Sequence, residues 1–127
     1  SLKATLMATI LVVDDSPTQT HRLANPLVRQ GHEVLAAASG RDGIELASEE
    51  QPDVILMDVV MPGINGFQAT RHLTRAKNTG HIPVIIVSSK SQDTDRLWGE
   101  RQGAIGYLTK PVDDQTLIAT VNNVLCG

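Results

Sequence analysis

Val54-Ile55-Leu56-Met57-Asp58 is the stretch on which the fold turns. Four apolar residues follow one another without alternation and stop at a carboxylate. A strand that is apolar on consecutive residues suits a sheet with helices on both faces, where neither side meets water. Val84–Val87 has the same character, and further short β-branched runs occur at Thr9–Val13, Val34–Ala37 and Ile105–Leu108. The segments between them have helix length and carry helix start and stop signals. Ser16-Pro17 sets a capping hydroxyl before a proline suited to the first helical turn, and Gly31 closes that stretch. Ser39-Gly40 precedes a second helix ending before Pro52, which also disfavours helical geometry at Gln51. Gly66 opens a third, with Phe67, Ala69 and Leu73 on its apolar side, expected to end near Gly80. A fourth spans Asp93–Gln102, and a fifth, Asp113–Leu125, puts Leu117, Ile118, Val121 and Leu125 on one stripe. Five strands alternating with five helices predict an α/β sandwich around a mostly parallel sheet. Pro26 breaks the local rules: inside the first helix it removes a hydrogen bond to the Arg22 carbonyl, so that turn is expected to kink or loosen.

The chain has 127 residues, 41% apolar and 20% charged, which suits one globular domain. A net charge of −3 argues against direct nucleic-acid binding through bulk positive charge. Cys126 is the single cysteine, so no internal disulfide forms and a reducing compartment is the natural setting. No apolar run approaches the roughly 20 residues needed to span a bilayer, so no membrane insertion is expected. Leu6–Val13 has the length of a signal-peptide core, but Asp14 and Asp15 stand where small cleavage-site residues belong. It reads as a buried strand of a cytoplasmic protein. Residues 1–6 add nothing to any element and read as residues added ahead of a start at Met7, or as a disordered native tail.

In an open parallel sheet, ligands bind beyond the carboxyl ends of the strands. The first strand ends in Asp14-Asp15, the third in Asp58, the fourth in Ser88-Ser89 and the fifth in Thr109-Lys110-Pro111. One aspartate after a strand is more often a turn or capping residue than a ligand. Three brought to one rim are harder to dismiss, because they repel unless a cation or raised pKa values compensate. Hard oxygen donors with room for water suit Mg²⁺. Such an ion attracts a phosphoryl group, which Lys110 can neutralise from the other side and Ser88 can meet with a hydrogen bond. Preorganised charge is the main demand of phosphoryl transfer. Asp58 has the best claim to be the nucleophile, although spacing alone does not decide among the three acids.

Four ordered motifs carry a family resemblance: Val12-Val13-Asp14-Asp15-Ser16, Leu56-Met57-Asp58-Val59-Val60-Met61-Pro62-Gly63, Val87-Ser88, and Gly106-Tyr107-Leu108-Thr109-Lys110-Pro111. Together they resemble the CheY-like receiver domains of two-component response regulators, over Ala8 to Leu125, with the domain taken as residues 8–126. The resemblance implies a flavodoxin-like (βα)5 three-layer sandwich with strand order 2-1-3-4-5. It implies that Asp58 is the phosphoacceptor, with Ser88 and Lys110 as its catalytic partners. Asp15, Asp58 and the backbone carbonyl of Val60 would hold Mg²⁺ directly, and Asp14 through water. Lys110-Pro111 would be a cis peptide, and Ser88 and Tyr107 would form the switch, Tyr107 turning inward when Ser88 moves. A histidine kinase would supply the phosphoryl group, and a downstream protein would read the result on the face made by the fourth helix, fifth strand and fifth helix. The protein would be no enzyme beyond promoting its own phosphorylation and slow dephosphorylation. Met61-Pro62-Gly63-Ile64-Asn65-Gly66-Phe67-Gln68-Ala69-Thr70-Arg71 and Leu97-Trp98-Gly99-Glu100-Arg101-Gln102-Gly103-Ala104 look like PilH-type receivers of type IV pilus (twitching) chemosensory systems.

Other readings of these residues are plainer. Trp98 fits a packing role as well as a partner contact. His21, His32, His72 and His81 share no metal-ligand spacing and read as surface or packing residues. Cys126 reads as inert, and Asp93–Arg101 as a solvated helix face. A haloacid-dehalogenase-type phosphatase would need Asp-x-Asp, but position 60 is Val. A flavodoxin would need a phosphate loop where Asp14-Asp15 would repel phosphate. A receiver excised from a longer DNA-binding response regulator or hybrid histidine kinase is the remaining alternative. The absence of a linker after Val124-Leu125-Cys126-Gly127 favours a free-standing module.

Overall fold

β1 (Thr9–Val13), β2 (Glu33–Ala37), β3 (Val54–Met57), β4 (Val84–Ser88) and β5 (Gly106–Thr109) form one sheet in the order β2-β1-β3-β4-β5, every pair parallel. The helices between and after them are α1 (Pro17–Arg29), α2 (Gly40–Glu50), α3 (Gly66–Arg75), α4 (Asp93–Arg101) and α5 (Asp114–Cys126). The structure is a computed structural model that describes residues 7–127, so the expectation for residues 1–6 lies outside the described residues. The order 2-1-3-4-5 places β1 and β3 side by side at the centre, with Val13 opposite Met57.

The unbroken apolar strands serve two cores. On one face Leu11, Val13, Ile55, Met57 and Val84 pack with Ala47 of α2 and Ala69 and Leu73 of α3. On the other, Ile10, Val12, Leu56, Ile85 and Val87 pack with Leu23 and Leu27 of α1 and Leu117 and Val121 of α5. Each such side chain, fully buried, contributes roughly 1.5–3 kcal/mol relative to its exposed state. A third, smaller cluster of Val59, Phe67 and Ile86 lies towards Ala104 and Tyr107. α4 borders that cluster and is the least anchored helix: Gly99 is its one buried residue.

Local chemistry sets the helix ends. Ser16 accepts from the Gln19 amide, Ser39 from Asp42 and Asp113 from Thr116, each satisfying an orphan N–H of a first turn. Asn65 and Gln68 form a reciprocal capping box at α3. α3 stops at Arg75, short of the expected end near Gly80. Ala76 is extended there (ψ 141°), and the buried Thr79 hydroxyl donates to the Leu73 carbonyl at 2.7 Å, drawing the chain into a turn. β5 starts at Gly106 instead of Ile105, whose side chain is exposed. α1 runs through Pro26 as one helix. The proline has no N–H to offer the Arg22 carbonyl, but its ring is buried together with Leu23 and Leu27. Gln51 caps α2 in the left-handed region at φ 49°, outside the helical geometry that Pro52 disfavours.

His32 fastens the start of the sheet. Only 6% exposed, it accepts a hydrogen bond at Nδ1 from the Ala8 amide at 3.1 Å, which requires that nitrogen to be unprotonated. Burial pulls its pKa below the usual histidine value, against a weaker upward pull from Asp53. The unfolded chain therefore binds the proton more readily, so this stabilisation is present above pH ~6.5 and is lost as pH falls towards the folded pKa. Asn at this position keeps an acceptor near the Nδ1 site without titrating. From pH 7.5 down to 5, the wild-type protein is expected to lose unfolding free energy relative to His32→Asn, measured by urea denaturation. A gap that stays constant over this range would remove His32 from the pH dependence.

Candidate functional site

Because β1 and β3 run in register, the residues that follow them arrive together. The Asp58 amide donates to the Val13 carbonyl at 2.9 Å, and the Asp14 amide to Ala37 at 3.1 Å, fixing both backbones at the sheet's carboxyl edge. Asp14 is 3% exposed and Asp58 8%, whereas Asp15 faces solvent. One carboxylate oxygen from each lies within 4.8 Å of the others. Lys110 arrives from the far side of β4. Its amide donates to the Ser88 carbonyl at 2.9 Å, and its ammonium bridges Asp14 Oδ2 at 2.8 Å and Asp58 Oδ1 at 3.2 Å. The Lys110–Pro111 peptide is cis.

The electrostatics follow from this packing. Burial pushes the Asp58 pKa up, and the Asp14 charge adds to the rise, outweighing the downward pull of Lys110. Burial would lower the Lys110 pKa, but its hydrogen bond to Asp14 and the charges of Asp58 and Asp14 raise it overall. One ammonium is thus shared by two carboxylates with a third beside them, and the site carries excess negative charge. Its donors are hard carboxylate oxygens, two of them buried and one reachable from water, a set that fits Mg²⁺ better than a softer metal.

The other expected residues stand around this cluster. Ser88, fully buried at the end of β4, accepts from the Lys90 amide at 3.1 Å and makes no hydrogen bond to the carboxylates. Tyr107 is half-buried on β5 and donates its hydroxyl to the Lys90 carbonyl at 2.6 Å, so the serine and the tyrosine hold the same residue of backbone. Val60 is 59% exposed on the loop after Asp58. Trp98 is 47% exposed on α4, outside any core. A groove of about 380 Å³ beside Asp14 and Asp15 is lined by Pro17, Thr20, His21 and Ala36–Ala38.

Two glycines contribute structure that the sequence pattern did not announce. A Cβ on Gly66 would fall 1.9 Å from the Asp58 carbonyl oxygen, and the Gly66 amide donates to Val59 at 2.9 Å. The first turn of α3 is thereby pressed against the loop that carries Asp58. The available signal was a glycine directly after a helix cap, where propensity disfavours it. Gly99 lets α4 approach β5: its Cβ would meet Ile86 at 2.8 Å and the Tyr107 ring at 3.3 Å. This accounts for the Trp-Gly pair within a short helix.

Residues 10–122 match the response regulator receiver domain family, and the chain belongs to it. Receiver domains are signalling proteins that work with histidine kinases and downstream targets. Over 121 residues, 95% of this chain and the whole of that protein, the sequence is 60% identical to protein PilH of Pseudomonas aeruginosa. It is 39% identical over 119 residues to the transcriptional regulatory protein AfsQ1 of Streptomyces coelicolor, covering 94% of this chain but 52% of that one. Chemotaxis protein CheY4 of Vibrio cholerae superposes with a TM-score of 0.88 at 32% identity, covering 94% of this chain and 100% of that one. Among the described residues no helix is long and apolar enough to cross a membrane.

Two outcomes follow from the site's geometry. Millimolar Mg²⁺ is expected to raise the thermal midpoint by binding the folded state alone, and Asp15→Asn to shrink that rise. A shift that persists undiminished in Asp15→Asn would place the ion elsewhere. Gly66→Ala forces the α3 turn off the Asp58 carbonyl. It should cost about 1–3 kcal/mol in denaturant unfolding, as overpacking does, and weaken the Mg²⁺ response.

Proposed function

We propose that this chain is the phosphoacceptor receiver of a two-component phosphorelay, phosphorylated on Asp58 by a histidine kinase in the cytoplasm. The observation that carries the reading is the buried Asp58 carboxylate at the carboxyl edge of the sheet, bridged to Asp14 by the Lys110 ammonium. An Asp58 oxygen forms a new bond to phosphorus as the bond from phosphorus to the donor histidine's nitrogen breaks, and the imidazole leaves. Lys110 then has a phosphoryl oxygen to face in place of an Asp58 oxygen, and Ser88 stands close by to donate to another. A bound Mg²⁺, held by Asp15, Asp58 and the Val60 carbonyl, with Asp14 acting through water, would supply positive charge for the phosphoryl oxygens. The receiver unit is taken as residues 8–126, and its catalysis is confined to its own phosphorylation and slow dephosphorylation.

The output face in this reading is α4, β5 and α5, because Ser88 and Lys110 lie at the ends of the strands beside it and Tyr107 links them through Lys90. Rearrangement there needs only about 1–3 kcal/mol of coupling to change partner affinity 5- to 150-fold. The 60% likeness to PilH over that protein's whole length supports joining this receiver to type IV pilus chemosensory control. The 39% likeness over about half of AfsQ1 lends less support to a receiver from a longer DNA-binding regulator.

Incubation with Mg²⁺ and acetyl phosphate is expected to add one phosphate by intact mass in the parent and none in Asp58→Asn. Equal labelling of the two would remove Asp58 from the role. Tyr107→Ala is expected to label like the parent while losing the amide shifts in residues 88–103 that accompany labelling.

A further inference from the structure

Arg96 makes three contacts from α4 to β5. Its guanidinium carbon sits 5.2 Å from the centre of the Tyr107 ring, Nη1 donates to the Tyr107 carbonyl at 3.3 Å, and Nη2 donates to the Thr109 hydroxyl at 2.8 Å. Gly99, one turn further along α4, leaves the ring free to lie against the helix. Among the described residues no other side chain of α4 hydrogen-bonds to β5, and no other residue of that helix than Gly99 is buried. Thr109 precedes Lys110, whose ammonium holds Asp14 and Asp58. The Tyr107 hydroxyl reaches the Lys90 carbonyl, and the Lys90 amide reaches Ser88. The guanidinium thus grips β5 at two points, one next to Lys110 in the chain and the other joined to Ser88 through Lys90.

We infer that Arg96 is the positioning residue that ties Tyr107 and the Thr109–Lys110 end of β5 to α4, so that a displacement at the rim is carried into that helix. The inference rests on the reading that Asp58 takes phosphate. The chemistry favours arginine. Its planar fork can donate to a carbonyl and a hydroxyl while its face covers an aromatic ring, whereas a lysine offers one point charge. Without the fork, α4 has little to hold it: Leu97 and Trp98 are about half exposed and neither is buried in a core.

Arg96→Met keeps much of the stem's length and apolar contact while removing the charge and both hydrogen bonds. In the full chain, hydrogen–deuterium exchange of residues 93–101 is expected to rise severalfold, up to about tenfold for the loss of charge-assisted bonds at a partly solvated site. The telling readout is the response to phosphorylation. With Mg²⁺ and acetyl phosphate, an Asp58 oxygen bonds to phosphorus and acetate leaves, and both proteins should gain the same mass. Exchange in residues 93–101 should then change in the parent and stay put in Arg96→Met. Arg96→Lys, with the cation over the ring but no fork, should recover part of the response. A brace without a coupling role would speed exchange and leave the phosphorylation response in place, which overturns the inference. If both proteins take phosphate and α4 responds equally, the inference alone falls. If neither takes phosphate, the phosphoacceptor reading falls and the inference with it.

Discussion

The Lys110 ammonium between Asp14 and Asp58 is the contact around which the rest is arranged. Two nearly buried carboxylates side by side are unfavourable, since each loses water and feels the other's charge. Removing the cation from such a group typically costs about 3–5 kcal/mol, because it strands charge in the interior. Holding it in place demands much of the fold. β1 and β3 must be neighbours in register, β5 must end where a side chain can cross the end of β4, and the Lys110 amide must be pinned to Ser88. The 2-1-3-4-5 order meets these demands together, which is why one strand permutation serves both packing and chemistry.

The neutralisation is incomplete, and the incompleteness is what makes a site. A single ammonium shared by two carboxylates, with Asp15 beside them in water, leaves the cluster attractive to a divalent cation. At Asp58 burial raises the pKa, Asp14 raises it further, and Lys110 only partly offsets both. In the proposed reading, the same arrangement that would be a stability defect in an inert core serves the chemistry.

Much of this was legible from residue order alone because it depends on local patterns and one topological rule. Consecutive apolar residues in Val54–Met57 and Val84–Val87 imply helices on both faces, and a parallel sheet implies that its polar strand ends meet. Ser16 before Pro17 and Ser39 before Gly40 mark helix starts by themselves. What stayed hidden depends on how elements approach one another. The short α3 follows from the Thr79 hydroxyl finding the Leu73 carbonyl, a bond that no periodicity encodes. Gly66 and Gly99 look like weak points in helices until their distances to the Asp58 carbonyl and the Tyr107 ring are known. Asp93–Arg101 reads as a solvated run, and most of it is; Arg96 differs from its neighbours only because β5 passes beneath it.

That last case bears on how the fold divides rigidity from response. α1, α2, α3 and α5 each set apolar or closely packed residues into a core, so moving any of them exposes buried surface. α4 has one buried glycine, a tyrosine ring against it and an arginine fork, a set of contacts that is mostly polar and directional. Apolar burial weakens in proportion to the area uncovered, whereas a hydrogen-bonded grip weakens steeply once its geometry is lost. An element held in the second way can shift with little buried surface uncovered, while one held in the first way uncovers more. The helix next to Ser88 and Lys110 is therefore the one held least by apolar burial and most by directional contacts.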